Sequence, residues 1–219
     1  MKTIALMPMK GVSERVPNKN MRLFNGKPLC SYMLDLLCSS NSIDLVVVNT
    51  DSEEIETFIG RQYPAVRVLK RPDDLLGHDV SMNKIIEHDL SIVTGDIIIQ
   101  THSTNPLLRQ ATLESAIQRF RTLGSAYDSL FSVTKYQTRF FSDSGTPINH
   151  NPEVLIKTQD LPCVYEENSC FYLFTPESFR KKSRRIGIKP FMMAIDPFEA
   201  VDIDVEAEFI LAEKLHKIL

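Results

Sequence analysis

Three cations and two carboxylates, set near opposite ends of a 219-residue chain, are the side chains best suited to chemistry. Lys10, Arg15 and Lys19 stand in the polar run Met9-Lys10-Gly11-Val12-Ser13-Glu14-Arg15-Val16-Pro17-Asn18-Lys19-Asn20, directly after the uncharged run of residues 3–8. A buried strand that empties into such a loop turns backbone N–H groups and cationic side chains toward anionic oxygens. With Gly11 at its start and Ser13 inside it, the loop reads as a triphosphate cradle. It lacks the multi-glycine spacing of a dinucleotide fingerprint or a P-loop, and a solvated loop with incidental charges fits the same residues. Near the other end stands Asp202-Ile203-Asp204. In an extended chain residues i and i+2 point the same way, so both carboxylates face one side. Two hard oxygen ligands suit Mg²⁺, whose shell is completed by substrate phosphate and water. The competing reading makes Asp204 the N-cap of a terminal helix.

Two further segments are dense in polar groups. Leu69-Lys70-Arg71-Pro72 ends a short apolar run, where Arg71 could reach a phosphate or a base, and Asp79 and Ser81 follow as candidate helix caps. Gln100-Thr101-His102-Ser103-Thr104-Asn105-Pro106 follows three consecutive isoleucines, with pure turn chemistry at Asn105-Pro106 as the alternative. His102 is the one histidine inside a candidate site; His78 and His88 read as surface or turn residues. There is no Ser/His/Asp or Cys/His arrangement that would call for a covalent intermediate.

These segments need a scaffold that brings strand ends together. Strand patterns at residues 3–8, 45–49, 66–69, 96–100 and 130–134 alternate with helical ones at 29–39, from Asp51 or Ser52 onward, at 81–93 and at 111–123. Continuous apolar strands separated by amphipathic helices predict an α/β fold, a mainly parallel sheet with helices on both faces. Ligands of such sheets bind beyond the carboxyl ends of the strands, which gives weight to the loops after Pro8, Asn49, Leu69 and Gln100. After about residue 136 the pattern changes. Residues 140–162 are polar and broken by Gly145, Pro147 and Pro152, and read as an arm or hairpin leaving the sheet. Strands at 170–174 and 191–195 and a closing helix at 206–219 complete one domain with an excursion over about residues 137–165.

Composition narrows the function classes. A net charge of −3 argues against a nucleic-acid partner. No apolar run approaches the ~20 residues of a membrane helix, and no signal-peptide pattern is present, so the expectation is a cytoplasmic protein without a membrane partner. Cys30, Cys38, Cys163 and Cys170 lack metal-site spacing and read as buried thiols.

Taken in order, the four polar segments resemble the acylneuraminate cytidylyltransferases (CMP-sialic acid synthetases), a family related to the CMP-KDO synthetases. The family's first loop, typically Arg-Gly-Gly-Ser-Lys-Arg-Ile-Pro-Gly-Lys-Asn, stands here as Lys10 to Asn20. Asn49-Thr50-Asp51-Ser52-Glu53-Glu54-Ile55, Arg71 to Ser81, Gln100 to Arg109 and Asp202 to Glu213 resemble further family segments over nearly the whole chain. The resemblance implies a Rossmann-like nucleotidyltransferase fold and transfer of CMP from CTP to an acidic α-keto sugar, with Mg²⁺ as cofactor. It assigns CTP to Lys10, Gly11, Ser13, Arg15, Asn20, Arg71 and Ser81, and the sugar to Gln100, His102, Asn105 and Asn168. Lys19, Asp202 and Asp204 become catalytic, the two aspartates holding the metal, and the excursion becomes the arm of a homodimer. Glu14 stands where the family has a phosphate-contacting Lys, Lys10 replaces Arg, His102 replaces Gln, and Glu166-Glu167 alter the acceptor pocket. A nucleotide-sugar glycosyltransferase also uses Asp-x-Asp, though usually mid-chain. A nucleotide-binding homologue without turnover is the second alternative, motivated by Glu14.

Overall fold

Ile4 and Leu6 alternate with Ala5 and Met7 at the chain's beginning, and the two pairs are buried in different cores. That is what a central strand covered on both faces requires. In the computed structural model, which describes residues 1–77 and 79–219, the elements are β1 (Thr3–Leu6), β2 (Leu23–Phe24), β3 (Lys27–Pro28), α1 (Leu29–Ser39), β4 (Leu45–Thr50), α2 (Glu53–Gln62), β5 (Arg67–Lys70), α3 (Met82–Ile92), β6 (Ile97–Thr101), α4 (Gln110–Thr122), β7 (Ser129–Tyr136), β8 (Val164–Phe174), α5 (Pro176–Lys182), β9 (Pro190–Ala194) and α6 (Glu206–Ile218). His78 lies outside the described residues.

Seven strands form one sheet in the order β5-β4-β1-β6-β8-β7-β9. The first four are mutually parallel, β8 runs antiparallel to β6 and β7, and β9 is parallel to β7. The chain leaves β1 toward β4 and β5, then returns to add β6 on the other side. The carboxyl ends of β1 and β6 therefore flank a topological switch point, where such sheets open a crevice.

Alternation along each strand sorts side chains between the faces. Ala5, Val46, Val48, Ile97 and Ile99 pack with Met33 and Leu37 of α1, Ile55 and Ile59 of α2, and Leu113 and Ile117 of α4. Ile4, Leu6, Val47 and Ile98 pack with Ile86 and Leu90 of α3 and Phe179 of α5. Helices thus cover both faces, as the pattern of apolar runs requires. Among the described residues no helix is long and apolar enough to cross a membrane.

A third, smaller core joins the two ends of the chain. Val16 of the first loop, Phe24, Leu29, Ile203, and Phe209 and Ala212 of α6 bury one another. The β2–β3 hairpin in this unit turns on Asn25 and Gly26, both at positive φ (45° and 99°), as a two-residue hairpin loop demands.

Some expectations are corrected. Asp204 is not the N-cap of α6: that position is Val205, and Glu208 reaches back to accept from the Asp204 and Val205 backbone N–H groups at 2.7 and 2.9 Å. Ser81 does occupy the N-cap of α3, without a side-chain capping bond. β8 begins at Val164, not 170, because its polar first half pairs with the exposed end of β7. Residues 137–163 do leave the sheet, with an isolated bridge between Phe141 and Pro147 and a 3₁₀ turn at Thr158–Asp160. Cys30 and Cys170 are buried, but Cys38 is exposed and Cys163 half-buried; all four are free thiols.

Candidate active site

Beyond β1 and β6 the chain walls a cleft of about 1110 Å³, including its open mouth. Lys10, Ser13, Glu14, Arg15, Lys19 and Asn20 line one side, and Asp202 and Asp204 close the floor. The small third core sets this arrangement. Val16 anchors the loop from below, while Ile203 is fully buried in the same core and its N–H donates to Thr104 O at 3.0 Å. With Ile203 pointing down, both flanking aspartates line the cleft, the i, i+2 geometry expected of an extended segment.

Charge is paired tightly here. Arg15 Nη2 lies 2.8 Å from Asp204 Oδ1, and Lys19 Nζ lies 3.4 Å from the same oxygen while donating to Ile203 O. Lys10 Nζ donates to Gly77 O at 3.2 Å. Asn20 ties the loop to the neighbouring strand end: its Nδ2 donates to Lys10 O at 2.8 Å and its Oδ1 accepts from Ser103 at 2.6 Å. Gly11 is outside the lining, but its N–H donates to Asp51 Oδ1 at 2.6 Å, and a Cβ would fall 2.7 Å from Ser52 Cβ. Its role is the close approach of two loops.

Asp202 is largely enclosed, and burial raises its pKa, with Asp204 adding to the rise and a Thr104 hydrogen bond and Lys19 opposing it. Its Oδ1 is buried and has no hydrogen-bond partner among the described residues. An orphaned carboxylate oxygen beside a second carboxylate fits a hard divalent cation, which takes one or two protein carboxylates and completes its shell elsewhere. No group of three or more His, Cys, Asp or Glu side chains assembles among the described residues, so a cation here would depend on substrate oxygens.

Beside the aspartates, Met82, His102, Ser103, Thr104, Ser169 and Arg185 also line the cleft. Burial, reinforced by the Arg185 cation, depresses the His102 pKa to about 4, so its ring is neutral at physiological pH. Gln100 is fully buried and reaches the cleft only through neighbours: Arg185 Nη1 donates to its Oε1 at 2.6 Å, and its Nε2 lies 3.2 Å from His102 Nε2.

Other sequence candidates are not brought into this cleft. Arg71 is buried, donating to Asn49 Oδ1 (2.8 Å), Asn49 O (3.1 Å) and Met9 O (3.1 Å), so it fastens the ends of β1 and β4 together. Ser81 is exposed, and its neighbour Met82 lines the cleft instead. Asn105 is fully buried, its nearest partner Val201 O at 3.5 Å. Asn168 donates to Thr134 Oγ1 at 3.1 Å inside the sheet. The reason is a bulge: register slips between Phe131 and Val133, Ser169 takes φ 61°, and it is Ser169 that lines the cleft. His88, read as a surface or turn residue, is half-buried within α3 with Nδ1 3.2 Å from Asp89 Oδ1. Arg185 was absent from the sequence candidates; it stands in the basic run Arg180-Lys181-Lys182-Ser183-Arg184-Arg185, which reads as a solvated helix end.

With the geometry in hand, comparison with known proteins is informative. A family model described as cytidylyltransferase matches residues 4–218. A pseudaminic acid cytidylyltransferase of Campylobacter jejuni is 26% identical, covering 100% of this chain and 97% of that protein. A CMP-N,N'-diacetyllegionaminic acid synthase of Legionella pneumophila is 26% identical over 98% and 96%. Among solved structures, a CMP:2-keto-3-deoxy-manno-octonic acid synthetase complexed with CTP superposes with a TM-score of 0.73 at 15% identity, covering 100% and 99% of the two chains, a likeness of fold.

Proposed function

Because the chain belongs to the cytidylyltransferase family, we propose that it transfers CMP from CTP to the hydroxyl of an acidic α-keto sugar of the sialic-acid type, releasing pyrophosphate. The observation that carries this reading is the convergence of Lys10, Arg15 and Lys19 with Asp202 and Asp204 on one cleft at the switch point of the sheet. The two relatives, named for CMP transfer with pseudaminic acid and N,N'-diacetyllegionaminic acid, support the substrate class.

The acceptor hydroxyl attacks the α-phosphorus of CTP, and the bond to the bridging oxygen of pyrophosphate breaks. Positive charge at Lys10, Arg15 and Lys19 stabilises the departing pyrophosphate, a task of positioning and electrostatics without a covalent intermediate. Asp202 and Asp204 would hold Mg²⁺, which supplies Lewis acidity toward phosphate oxygens and lowers the pKa of a coordinated hydroxyl. Arg15 and Lys19 already touch Asp204, so phosphate oxygens entering the cleft compete with that carboxylate for the same two cations. His102, neutral, serves as a hydrogen-bonding wall for the acceptor.

We further propose a homodimer, cytoplasmic as the composition suggests, built on residues 137–163. Phe141, Ile148, Val154 and Leu155 are more than half exposed in that excursion, which supports apolar contact with a second copy.

Pyrophosphate release with CTP, Mg²⁺ and a panel of keto-sugar acids, run against ATP, GTP and UTP, tests the reading. Release that requires both CTP and one acid is expected. CTP bound without turnover on any acid would leave a nucleotide-binding homologue, and no CTP binding would remove the cradle.

A further inference from the structure

Arg185 enters the cleft from outside every recognised motif, in the turn after α5, with only 19% of its side chain exposed. Its guanidinium lies over the Tyr172 ring, 3.7 Å from the centroid. Glu167 Oε1 is 3.7 Å from Nη2, beyond hydrogen-bond reach, and that oxygen already accepts from the Tyr172 hydroxyl. Among the described residues the guanidinium's hydrogen bonds run through Nη1, to Gln100 Oε1 and toward His102. A planar cation is therefore held flat and fixed at the cleft wall with part of its donor fork unspent.

The same contacts decide which histidine nitrogen carries the proton. Gln100 must aim Oε1 at Arg185 and Nε2 at Thr101 O (2.8 Å), since neither partner accepts the reverse. Gln100 Nε2 at 3.2 Å and Arg185 Nη1 at 3.3 Å then both point N–H groups at His102 Nε2. Two donors need a lone pair there, so the ring's proton sits on Nδ1 and His102 has an N–H to give.

We propose that Arg185 binds the carboxylate of the acceptor sugar, with the Nδ1–H of His102 as a neutral second donor, and so selects acids among acceptors. The assignment of that anion to the acceptor rests on the transferase reading above. The phosphate cations are already engaged, Arg15 and Lys19 with Asp204 and Lys10 with Gly77 O. A planar fork matches a carboxylate in two parallel bonds, which an ammonium cannot.

The test is calorimetric binding of pseudaminic acid and an N-acylneuraminic acid, each beside its C1 amide, to the protein saturated with non-reacting CDP. Wild type should prefer one acid over its amide by roughly 10- to 100-fold, the span of a charge-assisted bidentate contact. Arg185→Met should bind acid and amide alike with CDP affinity unchanged, and Arg185→Lys, which keeps the charge without the planar fork, should retain a partial preference. An acid preference undiminished in Arg185→Met, a loss of CDP affinity in place of acid affinity, or no acid bound by wild type overturns the proposal. Pyrophosphate release on the same samples separates the two readings. Acid preference without turnover keeps the role of Arg185 and removes the transferase, whereas turnover with acid preference intact in Arg185→Met does the reverse.

Discussion

Asp202→Asn should make the protein more stable and abolish its Mg²⁺-dependent activity. Asp202 Oδ1 is buried without a partner among the described residues, and a buried unsatisfied charged oxygen costs on the order of 1–2 kcal/mol. The amide keeps the shape and removes the charge, so most of that cost is relieved. For a chain of this length each kcal/mol corresponds to about 2–4 °C in Tm, giving a rise of roughly 2–8 °C at pH 7.5. The sign follows from burial, which raises the folded-state pKa above the unfolded 3.8, so the ionised form is the destabilised one. The variant's advantage is complete above the raised pKa, shrinks as pH falls through it, and is gone below the unfolded value. Mg²⁺ opposes this advantage: at tenfold excess over Kd, wild type gains ~1.4 kcal/mol, comparable with it, and the variant little. Thermal melts across pH with and without Mg²⁺, beside pyrophosphate release, measure all of this. A variant no more stable than wild type at pH 7.5, or one that still turns over with Mg²⁺, would refute the reasoning.

Lys19→Met should lower kcat by roughly 10²–10³-fold, as loss of one preorganised charge-stabilising donor does, with the CTP KM changed far less; a pure KM effect in steady-state kinetics would argue against a transition-state role. Glu14→Lys exchanges an anion for a cation in the wall of the cleft and should tighten CTP binding up to roughly tenfold at low salt, read by calorimetry; unchanged affinity would mean the side chain turns away from the phosphates. Gly11→Ala forces a Cβ to within 2.7 Å of Ser52 Cβ and should cost ~1–3 kcal/mol in a melt and raise the CTP KM. His102 has a depressed folded pKa of about 4, so the stability it supports is complete above the unfolded 6.5 and falls as pH drops toward 4. His102→Gln should flatten the Tm profile in that window, and an unchanged slope would show that another group titrates there.

The sheet was legible because each strand is short, apolar and bounded by chemistry that stops it. Helix α1 begins and ends where its apolar stripe does, and Ser52 caps α2 by accepting from Ile55 N as its type suggests. The common facing of Asp202 and Asp204 was legible too, since an extended Asp-Ile-Asp segment can turn its carboxylates one way only if the isoleucine goes the other. The acceptor wall was not. Ser169 reaches the cleft where the β7–β8 register slips by three residues, an irregularity that strand periodicity does not signal. Arg185 follows four cations and a serine whose composition signals solvent; only the stacking of its guanidinium on Tyr172 separates it from them. Arg71, a cation at a strand end, spends Nε and Nη2 on Asn49 Oδ1, Asn49 O and Met9 O, a bracing role that its place in the sequence does not reveal.

The small core shared by Val16, Phe24, Ile203 and Phe209 has a consequence for how the protein is made. On the ribosome the N-terminal strands can pair long before α6 emerges, because β1, β4 and β5 are near in sequence. The phosphate loop, by contrast, finds its apolar anchor only when residues some 190 positions later leave the exit tunnel, a closure of high sequence separation. A nascent chain should therefore fold its scaffold first and acquire its nucleotide pocket last, keeping an incomplete protein from sequestering CTP. Native-state exchange would register this as amides of residues 10–20 opening together with α6 and apart from the central strands.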